Sequence, residues 1–289
     1  MSSAMGPLTL AKVCYEIEHA NRIKSVLRGI DLTIETNRRI CIGGPSGHGK
    51  STLMNVLAGL VCPRQGRLRG EVSWGDFPVY CDGKVAKRAD SKRATVLGLA
   101  FQEPRLATAL SGWENIFLPA KISRRDPDRD TIYHLAELMF SDKYWDDDED
   151  ESDESSEHIE RNSSDRKKGE SCQSNKQNPV ASYGEKDGEN YESKLKRAVA
   201  TLSGGEQQRV SIIRAFATNP QFIIADEILN AVQLKQRVAI WHEIKQVCDN
   251  KKQGFVLISH LNHLLNDDWF SHRLELSNGR LYEVKNDSE

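Results

Sequence analysis

Eight residues near the start of the chain read Gly44-Pro45-Ser46-Gly47-His48-Gly49-Lys50-Ser51. They follow the apolar run Arg39–Gly43, which favours a strand, and precede Thr52–Ala58, which favours a helix. Glycines at these positions let consecutive backbone N–H groups turn toward a phosphate, and the helix dipole adds positive charge at the same point. Lys50 can then reach the β- and γ-phosphates of a nucleotide, and the Ser51 hydroxyl can ligate Mg²⁺. The spacing and the strand-to-helix context therefore predict a phosphate-binding loop.

The composition limits the kind of protein that carries this loop. The chain has 289 residues, of which 38% are hydrophobic, and its formal net charge is −2. This length allows one large α/β domain, and the small net charge argues against a surface built for nucleic acid. The six cysteines form no C-x-x-C pair, so neither a zinc site nor a disulfide framework is predicted. No membrane span or signal peptide is evident, so we expect a cytoplasmic protein that meets a membrane only through a partner.

Period-two alternation of apolar and polar residues marks the segments near the loop. Residues 8–15 and 26–34 both show it, which predicts two half-buried strands in an antiparallel sheet ahead of the loop. A further short pair of strands is expected over 66–75. The basic stretch 84–93 could contact nucleic acid, but it lacks interleaved aromatic side chains, so a solvated loop is the favoured interpretation. No nucleic-acid partner is therefore expected.

The middle of the chain passes from regular patterns to a strongly polar segment. A continuous apolar strand over 96–101 ends at Gln102, and helices are predicted over 111–122, with a capping box at the start, and over 128–140. Between about 142 and 194 an acidic run is followed by Ser, Asn, Lys and Gly with few large apolar residues, which predicts a disordered insertion. An acidic docking tail is the alternative, whereas the ordered spacing of a Ca²⁺ loop is missing.

A second glycine-containing run reads Leu202-Ser203-Gly204-Gly205-Glu206-Gln207-Gln208-Arg209 and precedes a predicted helix over 210–218. A serine and glycines at a helix N-terminus favour the binding of an anion, because free N–H groups and the positive end of the helix dipole lie there. By itself the run could be only an N-cap with flexible glycines.

Two predicted core strands end in polar side chains. Phe222–Ala225 leads into Asp226 and Glu227, and Phe255–Ser259 leads into His260. The carboxyl ends of parallel strands face the ligand crevice of an α/β sheet. Asp226 would hold Mg²⁺ there, and Glu227 would orient and activate the attacking water. A lone histidine is usually structural, but the position of His260 favours a place in the same site.

The order and approximate spacing of these motifs resemble those of the ATP-binding cassette ATPases. The resemblance covers nearly the whole chain except the acidic insertion. It implies an α/β P-loop NTPase core with an antiparallel β entry sheet, and a helical subdomain formed by 103–141 and 195–218. The flanking stretches 97–102 and 113–119 look most like the ATPases of lipoprotein-releasing and macrolide-exporting transporters.

This resemblance implies ATP and Mg²⁺ as ligands and a second ATPase copy, identical or related, as partner. In such a head-to-tail dimer, ATP on the phosphate loop of one copy is capped by the glycine-containing run of the other. Gln102 would link Mg²⁺ and water to the helical subdomain, and His260 would contact the γ-phosphate. The catalytic set is then Glu227, His260 and Gln102, and the metal set is Ser51, Gln102 and Asp226. The implied nucleotide-binding set is Gly44, Pro45, Ser46, Gly47, His48, Gly49, Lys50, Ser51, Thr52, Ser203, Gly204, Gly205, Gln207, Tyr15 and Ile17.

The sequence departs from the family pattern at two places. The family usually continues Asp-Glu-Pro-Thr-Ser-Ala-Leu-Asp, whereas this chain has Asp226-Glu227-Ile228-Leu229-Asn230-Ala231-Val232-Gln233. Because Gln233 replaces an aspartate that shapes the dimer contact, slow or poorly coupled turnover is expected. At the position of the aromatic residue that stacks on adenine the chain has Ile17, with Tyr15 two residues earlier on the same face of a strand.

Two functional hypotheses follow, and a third is discounted. The first is an ATPase subunit, peripheral on the cytoplasmic face of a membrane, that energises a transporter together with a separate transmembrane permease. The second is an ATPase of the same fold that regulates or signals without transport. A DNA-repair or chromosome ATPase would need long heptad segments, which the sequence lacks.

Overall fold

The computed structural model describes residues 6–19, 22–61, 66–81, 84–141, 190–230, 232 and 234–284. All of them belong to the unit formed by residues 1–141 and 190–289. Two features singled out in the sequence, the main part of the acidic segment (142–189) and the replacement at Gln233, lie outside the described residues.

The described elements come in groups of strands and groups of helices along the chain. The strands are β1 Leu8–His19, β2 Arg22–Ile34, β3 Arg39–Gly43, β4 Arg67–Trp74, β5 Phe77–Cys81, β6 Lys84–Val85, β7 Leu97–Ala100, β8 Phe222–Asp226, β9 Gly254–Ile258, β10 His272–Ser277 and β11 Arg280–Glu283. The helices are α1 Lys50–Leu57, α2 Ala89–Val96, α3 Gly112–Ser123, α4 Arg129–Phe140, α5 Tyr191–Lys196, α6 Gly204–Phe216, α7 Leu234–Lys251 and α8 Asn262–Leu265, with a short 3-10 helix at Val199–Thr201.

A six-stranded sheet with the order β11-β10-β3-β9-β8-β7 forms the centre of the unit. The contacts from β10 through β7 are parallel, and β11 pairs antiparallel with β10 at one edge. Every residue of β8 and β9 is buried, as expected for parallel strands that are covered on both faces. The carboxyl ends of β3, β9 and β8 are therefore neighbours, which places the phosphate loop beside the polar residues that follow the other two strands.

The two faces of this sheet pack against different cores. Along β8 and β9, Ile223 and Leu257 contribute to a core built mainly with α4, α6 and α7, whereas Ile224 and Val256 contribute to a core with α1 and the first strands. Side chains that are adjacent in a strand point to opposite faces, so one short apolar run serves both cores. The α/β class predicted from the sequence is confirmed, because a mostly parallel sheet has helices packed on both of its faces.

The second sheet is antiparallel, with the order β2-β1-β4-β5-β6. The pairing of β1 with β2 confirms the predicted strands around 8–15 and 26–34 and extends both. Two details of the sequence interpretation are wrong. Residues 66–75 contain the single strand β4, which pairs with β1 and β5, and 84–93 contain β6 and the start of α2 rather than a loop alone.

The helical part consists of α3 to α6. The capping box predicted at the start of α3 is present, because the Ser111 side chain accepts from the Glu114 N–H and Glu114 accepts from the Ser111 N–H. Helix α6 begins at Gly204, six residues earlier than expected, because Ser203 caps it in the same way. Residues 190–194, placed in the polar insertion by composition, instead cap and begin α5. No helix in the described ranges combines the length and apolar character needed to cross a bilayer.

Candidate nucleotide site

The phosphate loop has the backbone that its glycines predict. Gly44, Gly47 and Gly49 have φ values of 130°, 77° and 103°, a region that L side chains rarely adopt. A Cβ atom at Gly44 would lie 2.3 Å from the carbonyl oxygen of Leu276 in β10. Only glycine therefore fits at this position, and the close approach presses the start of the loop against the central sheet.

The N-terminus of α1 is arranged to receive an anion. Gly49 precedes the helix without a side-chain cap, and the first turn contains no acidic residue. Lys50 is 9% exposed, and its Nζ atom donates to the carbonyl oxygens of Gly44 (2.7 Å) and Pro45 (3.0 Å). These contacts hold the ammonium inside the loop. Unpaired N–H groups, the helix dipole and a fixed cation thus act at the same place.

His48 connects the phosphate loop to the turn between β10 and β11. Its Nδ1 atom accepts a hydrogen bond from the backbone N–H of Asn278 at 3.2 Å. Asn278 and Gly279 form that turn with φ values of 48° and 78°. In addition to its place in the loop, His48 is therefore a brace between two segments that are far apart in sequence.

Asp226 is the buried carboxylate of the site. It is 5% exposed at the end of β8. Burial raises the pKa of Asp226 above its usual value, and a hydrogen bond from Ser51 opposes this shift. A carboxylate that is costly to keep charged in isolation, next to a hydroxyl in the first turn of α1, is a donor set that suits a divalent cation. Asp226 and Ser51 therefore fit the predicted Mg²⁺ site.

Glu227 is held on both of its carboxylate oxygens. Its Oε1 atom lies 2.7 Å from Nδ1 of His260, and its Oε2 atom accepts from the Asn230 side-chain amide at 2.9 Å. Glu227 has a φ of 50°, and its backbone N–H donates to the carbonyl of Ile258 in β9. The carboxylate is 13% exposed and the imidazole 55% exposed. Two candidates that are 33 residues apart are thus in direct contact.

Gln102 lies exposed just beyond β7, at the same edge of the sheet as Asp226. Sequence reasoning missed a second glutamine, Gln208, which is 2% exposed and donates from Nε2 to the carbonyl oxygen of Phe101 at 3.0 Å. Gln208 thereby fixes the residue that precedes Gln102 to helix α6. Because α6 has one face in the core, the sequence could have indicated that one amide of the run Leu202–Arg209 is buried. It could not have indicated that the partner of this amide is the Phe101 carbonyl.

The second glycine-containing run presents Ser203 and Gly204 at an exposed helix end. Gln207, one of the residues that the resemblance assigns to nucleotide binding, donates from Nε2 to the carbonyl oxygens of Val199 (3.3 Å) and Leu202 (3.0 Å), so it stabilises its own segment. In the described part of the chain no hydrogen bond joins Ser203 to the phosphate loop. The two glycine-containing runs are not combined into one site within this chain.

The expectation that Tyr15 faces adenine is not supported. Tyr15 is 7% exposed and belongs to the core under the antiparallel sheet. A Cβ atom at Gly66 would lie 2.6 Å from the Tyr15 hydroxyl, so the ring is packed against the backbone of that segment. Ile17 is only partly buried and remains the candidate on this strand. Strand β1 has register shifts near these residues, which simple alternation does not anticipate.

The loop, the buried cation and the carboxylates at the ends of adjacent parallel strands define a P-loop nucleotide-binding protein. Residues 27–230, well over half of the chain, match the family described as ABC transporter. The chain belongs to this family, and membership implies ATP binding and hydrolysis.

Relatives and solved structures agree with this assignment. The chain is 26% identical over 243 residues to the lipoprotein-releasing system ATP-binding protein LolD 1 of Rhodopseudomonas palustris, covering 84% of this chain and 82% of the relative. It is 27% identical over 284 residues to the uncharacterized ABC transporter ATP-binding protein MJ1508 of Methanocaldococcus jannaschii, covering 96% and 98%. The fold is shared with the dimeric post-hydrolysis structure of the ATP-binding cassette MJ0796 bound to ADP and Pi, with a TM-score of 0.69, 20% identity and coverage of 96% and 98%.

Proposed function

We propose that this protein is the ATP-hydrolysing subunit of a membrane ABC transporter, working as a nucleotide-sandwich dimer beside a separate permease. One observation carries the proposal: Asp226 and the paired Glu227 and His260 lie at the same sheet edge as the phosphate loop. A phosphate site alone could serve binding, whereas a held carboxylate beside it can also activate water.

The chain's own residues divide the chemistry. Backbone N–H groups of the phosphate loop and Lys50 bind the β- and γ-phosphates. Ser51, Gln102 and Asp226 would hold Mg²⁺, which when bound would offset the negative charge of the phosphate oxygens. Glu227 takes a proton from a water molecule while the oxygen of that water bonds to the γ-phosphorus. The bond between the γ-phosphorus and the oxygen bridging to the β-phosphate breaks, which leaves ADP and phosphate. His260 keeps the Glu227 carboxylate in place and contacts the γ-phosphate.

Substitution of Glu227 tests this assignment. We expect Glu227→Gln to lower turnover by roughly 10²-fold or more, since a water-activating base is lost, while ATP binding is retained. Glu243→Gln is a matched control because Glu243 pairs with His134 at 2.8 Å, with side-chain exposures of 19% and 55% that resemble those of the Glu227 and His260 pair. Hydrolysis that is equally affected by both substitutions, or by neither, would refute the assigned base.

The proposed dimer would bring together the phosphate loop of one copy and the second glycine-containing run of the other. Ser203, Gly204 and Gly205 are at the start of α6, and no hydrogen bond of the described residues joins Ser203 to the phosphate loop. In the proposed dimer these residues cap ATP that is held on the partner copy's phosphate loop. The cassette MJ0796 has been solved as a dimer, which supports this arrangement by fold.

A groove of about 450 Å³ between α2, β7, α3 and α6 is the proposed docking site for the permease. Its apolar lining includes Leu118, Pro119 and Ile122 of α3, and Ile122 is 52% exposed. Arg105, whose guanidinium lies 4.0 Å from the Phe101 ring centre, stands at the same groove. The groove therefore offers an apolar floor and a cation next to Gln102, which suits a short helix with apolar side chains and a carboxylate.

Arg214 strengthens the cationic character of this groove. It donates from its guanidinium to the carbonyl oxygens of Pro104 (2.8 Å) and Arg105 (3.0 Å), and burial lowers its pKa to about 10. These bonds tie helix α6 to the segment after Gln102. A helix docked in the groove would thus contact the residues that connect the nucleotide site with α6.

Charge reversal tests the docking site. Ile122→Asp should abolish membrane association in cells while ATP binding is unchanged, because Ile122 lines the groove and lies outside the nucleotide site. Arg105→Glu should also abolish membrane association, and its ATP binding is measured in parallel because Arg105 bonds to Asn55 of α1 and its charge acts on Asp226. Val238→Asp, at a 68% exposed apolar residue on α7, is the control. A wild-type protein that stays wholly in the soluble fraction, with no membrane protein cross-linked near residue 105, would favour the regulatory ATPase instead. The replacement of the family aspartate by Gln233 is a feature of the sequence that favours this second candidate.

A further inference from the structure

The Glu227 carboxylate has a second neighbour besides His260. Asn230 lies three residues further on, and it bonds to Glu227 twice: its backbone N–H donates to the Glu227 carbonyl at 3.2 Å, and its side-chain Nδ2 donates to Oε2 at 2.9 Å. Both carboxylate oxygens are therefore occupied by donors that come from different segments of the chain, one following β8 and one following β9.

The backbone at Glu227 requires such support. A non-glycine residue with a φ of 50° is in the left-handed region, which persists only where the surroundings hold it. The turn that contains Asn230 closes on the Glu227 carbonyl, and the Glu227 N–H is held by Ile258. The side-chain bond then fixes the carboxylate itself, since a long acidic side chain on a strained backbone would otherwise have several rotamers available.

The orientation of the Asn230 amide follows from its neighbour. An ionised carboxylate only accepts hydrogen bonds, so Asn230 has to present its NH₂ group to Glu227. Its Oδ1 atom is consequently buried without a donor among the described residues. Buried polar atoms in native proteins are usually paired, and an exception calls for a functional reason. The amide thus keeps its NH₂ group on the Glu227 carboxylate although its own oxygen goes unpaired, which indicates that the surroundings favour this contact.

We infer that Asn230 is a positioning residue for ATP hydrolysis. It holds Oε2 of Glu227 while His260 holds Oε1, so that the carboxylate is aimed before water is bound. This inference rests on the proposed function, since it requires Glu227 to be the base. In the family run quoted above this position is serine, whose side chain is one bond shorter, so the contact belongs to this chain rather than to the shared pattern.

The test separates positioning from folding. Asn230→Ala should lower kcat about 10-fold, as expected when one charge-assisted hydrogen bond to a catalytic group is lost, with KM for ATP and nucleotide affinity within twofold of wild type. In a Glu227→Gln background the same substitution should change the residual rate less than twofold, because groups that act as a unit are not additive. The residual rate is followed with radiolabelled ATP over hours.

Two controls keep the outcome decisive. Gln253→Ala removes another buried amide with an unpaired oxygen, next to the opposite end of β9, and should affect thermal unfolding but not kcat per folded molecule. Asn230→Ser is measured in parallel in case the alanine variant does not fold. An unchanged kcat in the folded Asn230 variant, or equal losses in the wild-type and Glu227→Gln backgrounds, would overturn the inference. If Glu227→Gln itself leaves hydrolysis unchanged, the proposed base fails, and that result is distinct from either of these.

Discussion

Helices α1 and α6 both begin in a glycine-containing run, yet their N-termini are satisfied in opposite ways. Helix α1 follows Gly49, has no side-chain cap and contains no acid in its first turn. Helix α6 follows Ser203, whose hydroxyl accepts from the Glu206 N–H, and the Glu206 carboxylate accepts from the Ser203 N–H at 2.7 Å. The first helix leaves donors open, whereas the second provides its own acceptors.

This difference separates binding from stability. Unpaired N–H groups at a helix start have to be satisfied by water or by a ligand, so the α1 end gains when phosphate arrives. A capping box stabilises its helix without a ligand, so α6 is ready as a rigid element before any partner comes. In the proposed dimer, the α1 end would bind nucleotide within its own chain, and the α6 end would complete the site on the partner copy.

Lys50→Ala gives the largest effect that this comparison predicts. A cation about 4 Å from a phosphate charge contributes about 4 kcal/mol at an effective dielectric constant near 20, so ATP affinity should fall roughly 10³-fold. The corresponding change at α6, Ser203→Ala, should leave the affinity of the monomer unchanged. Titration calorimetry on both variants measures this contrast. If Lys50→Ala retains ATP affinity within tenfold, the α1 end is not the main phosphate site.

Alanine substitution of one glycine near the start of α1 and one at the start of α6 should change the free energy of unfolding by different amounts. At Gly44 the new Cβ would meet the Leu276 carbonyl oxygen at 2.3 Å on a backbone with φ of 130°, so Gly44→Ala should lower the free energy of unfolding by about 3 kcal/mol. At Gly204 nothing lies within 4 Å, so Gly204→Ala should leave it unchanged or raise it by up to about 1 kcal/mol. Urea unfolding measures both, and similar losses would contradict the contrast.

The next prediction concerns Asp226, which ends strand β8 next to helix α1, and the pH dependence of its effect on stability. Burial raises the pKa of Asp226, so this residue adds native-state stability that is complete below its unfolded pKa and is lost as pH rises through its folded pKa. At neutral pH, and in the absence of a bound cation, the charged Asp226 carboxylate therefore lowers the stability of the folded protein. Asp226→Asn should raise the stability of nucleotide-free protein at pH 7 by about 1 kcal/mol.

The advantage of the Asp226→Asn variant should shrink as pH falls, because the wild-type residue then becomes neutral as well. Thermal unfolding of both proteins between pH 4 and 8 follows this difference, and Mg²⁺-dependent nucleotide binding is expected to be lost in the variant. A variant that is less stable than wild type at pH 7 would show that the Ser51 and Lys50 contacts outweigh burial.

Prediction from sequence succeeded where backbone geometry determines the site. The glycines of the G-x-x-x-x-G-K-S run predict a backbone that turns its N–H groups toward a phosphate, and the structure has positive φ at Gly44, Gly47 and Gly49. Apolar runs such as Phe222–Ala225 identify buried parallel strands, because only strands covered on both faces are continuously apolar. The family and the fold were therefore accessible before any coordinates.

Side-chain contacts between distant segments were not accessible in the same way. Gln208 meets Phe101 across 107 residues, and His48 meets Asn278 across 230, through packing that no local pattern encodes. Alternation correctly placed Tyr15 and Ile17 on one face of β1, but it could not show that Tyr15 is buried in the core while Ile17 is only partly buried. The start of α6 was misplaced because glycines suggested a loop, whereas the capping box of Ser203 and Glu206 begins the helix there.

The smallest predicted effect concerns the charge at the α6 end. Glutamine can replace glutamate in a capping box, so Glu206→Gln should keep the helix start while it removes one negative charge. Acids near a helix N-terminus contribute about 0.3 to 1 kcal/mol, so the variant itself should be slightly less stable. An incoming phosphate would no longer meet that charge, so the ATP-dependent dimer should become about two- to fivefold tighter by the same magnitude.

Sedimentation equilibrium with ATP, in a Glu227→Gln background that prevents turnover, measures this dimer. Glu114→Gln is the matched control, because Glu114 closes the equivalent capping box on α3 with Ser111, where no phosphate is expected. It should cost similar stability and leave the dimer unchanged. If Glu206→Gln weakens the dimer, the carboxylate contacts a partner group rather than competing with a phosphate, and the two helix ends differ in more than their capping.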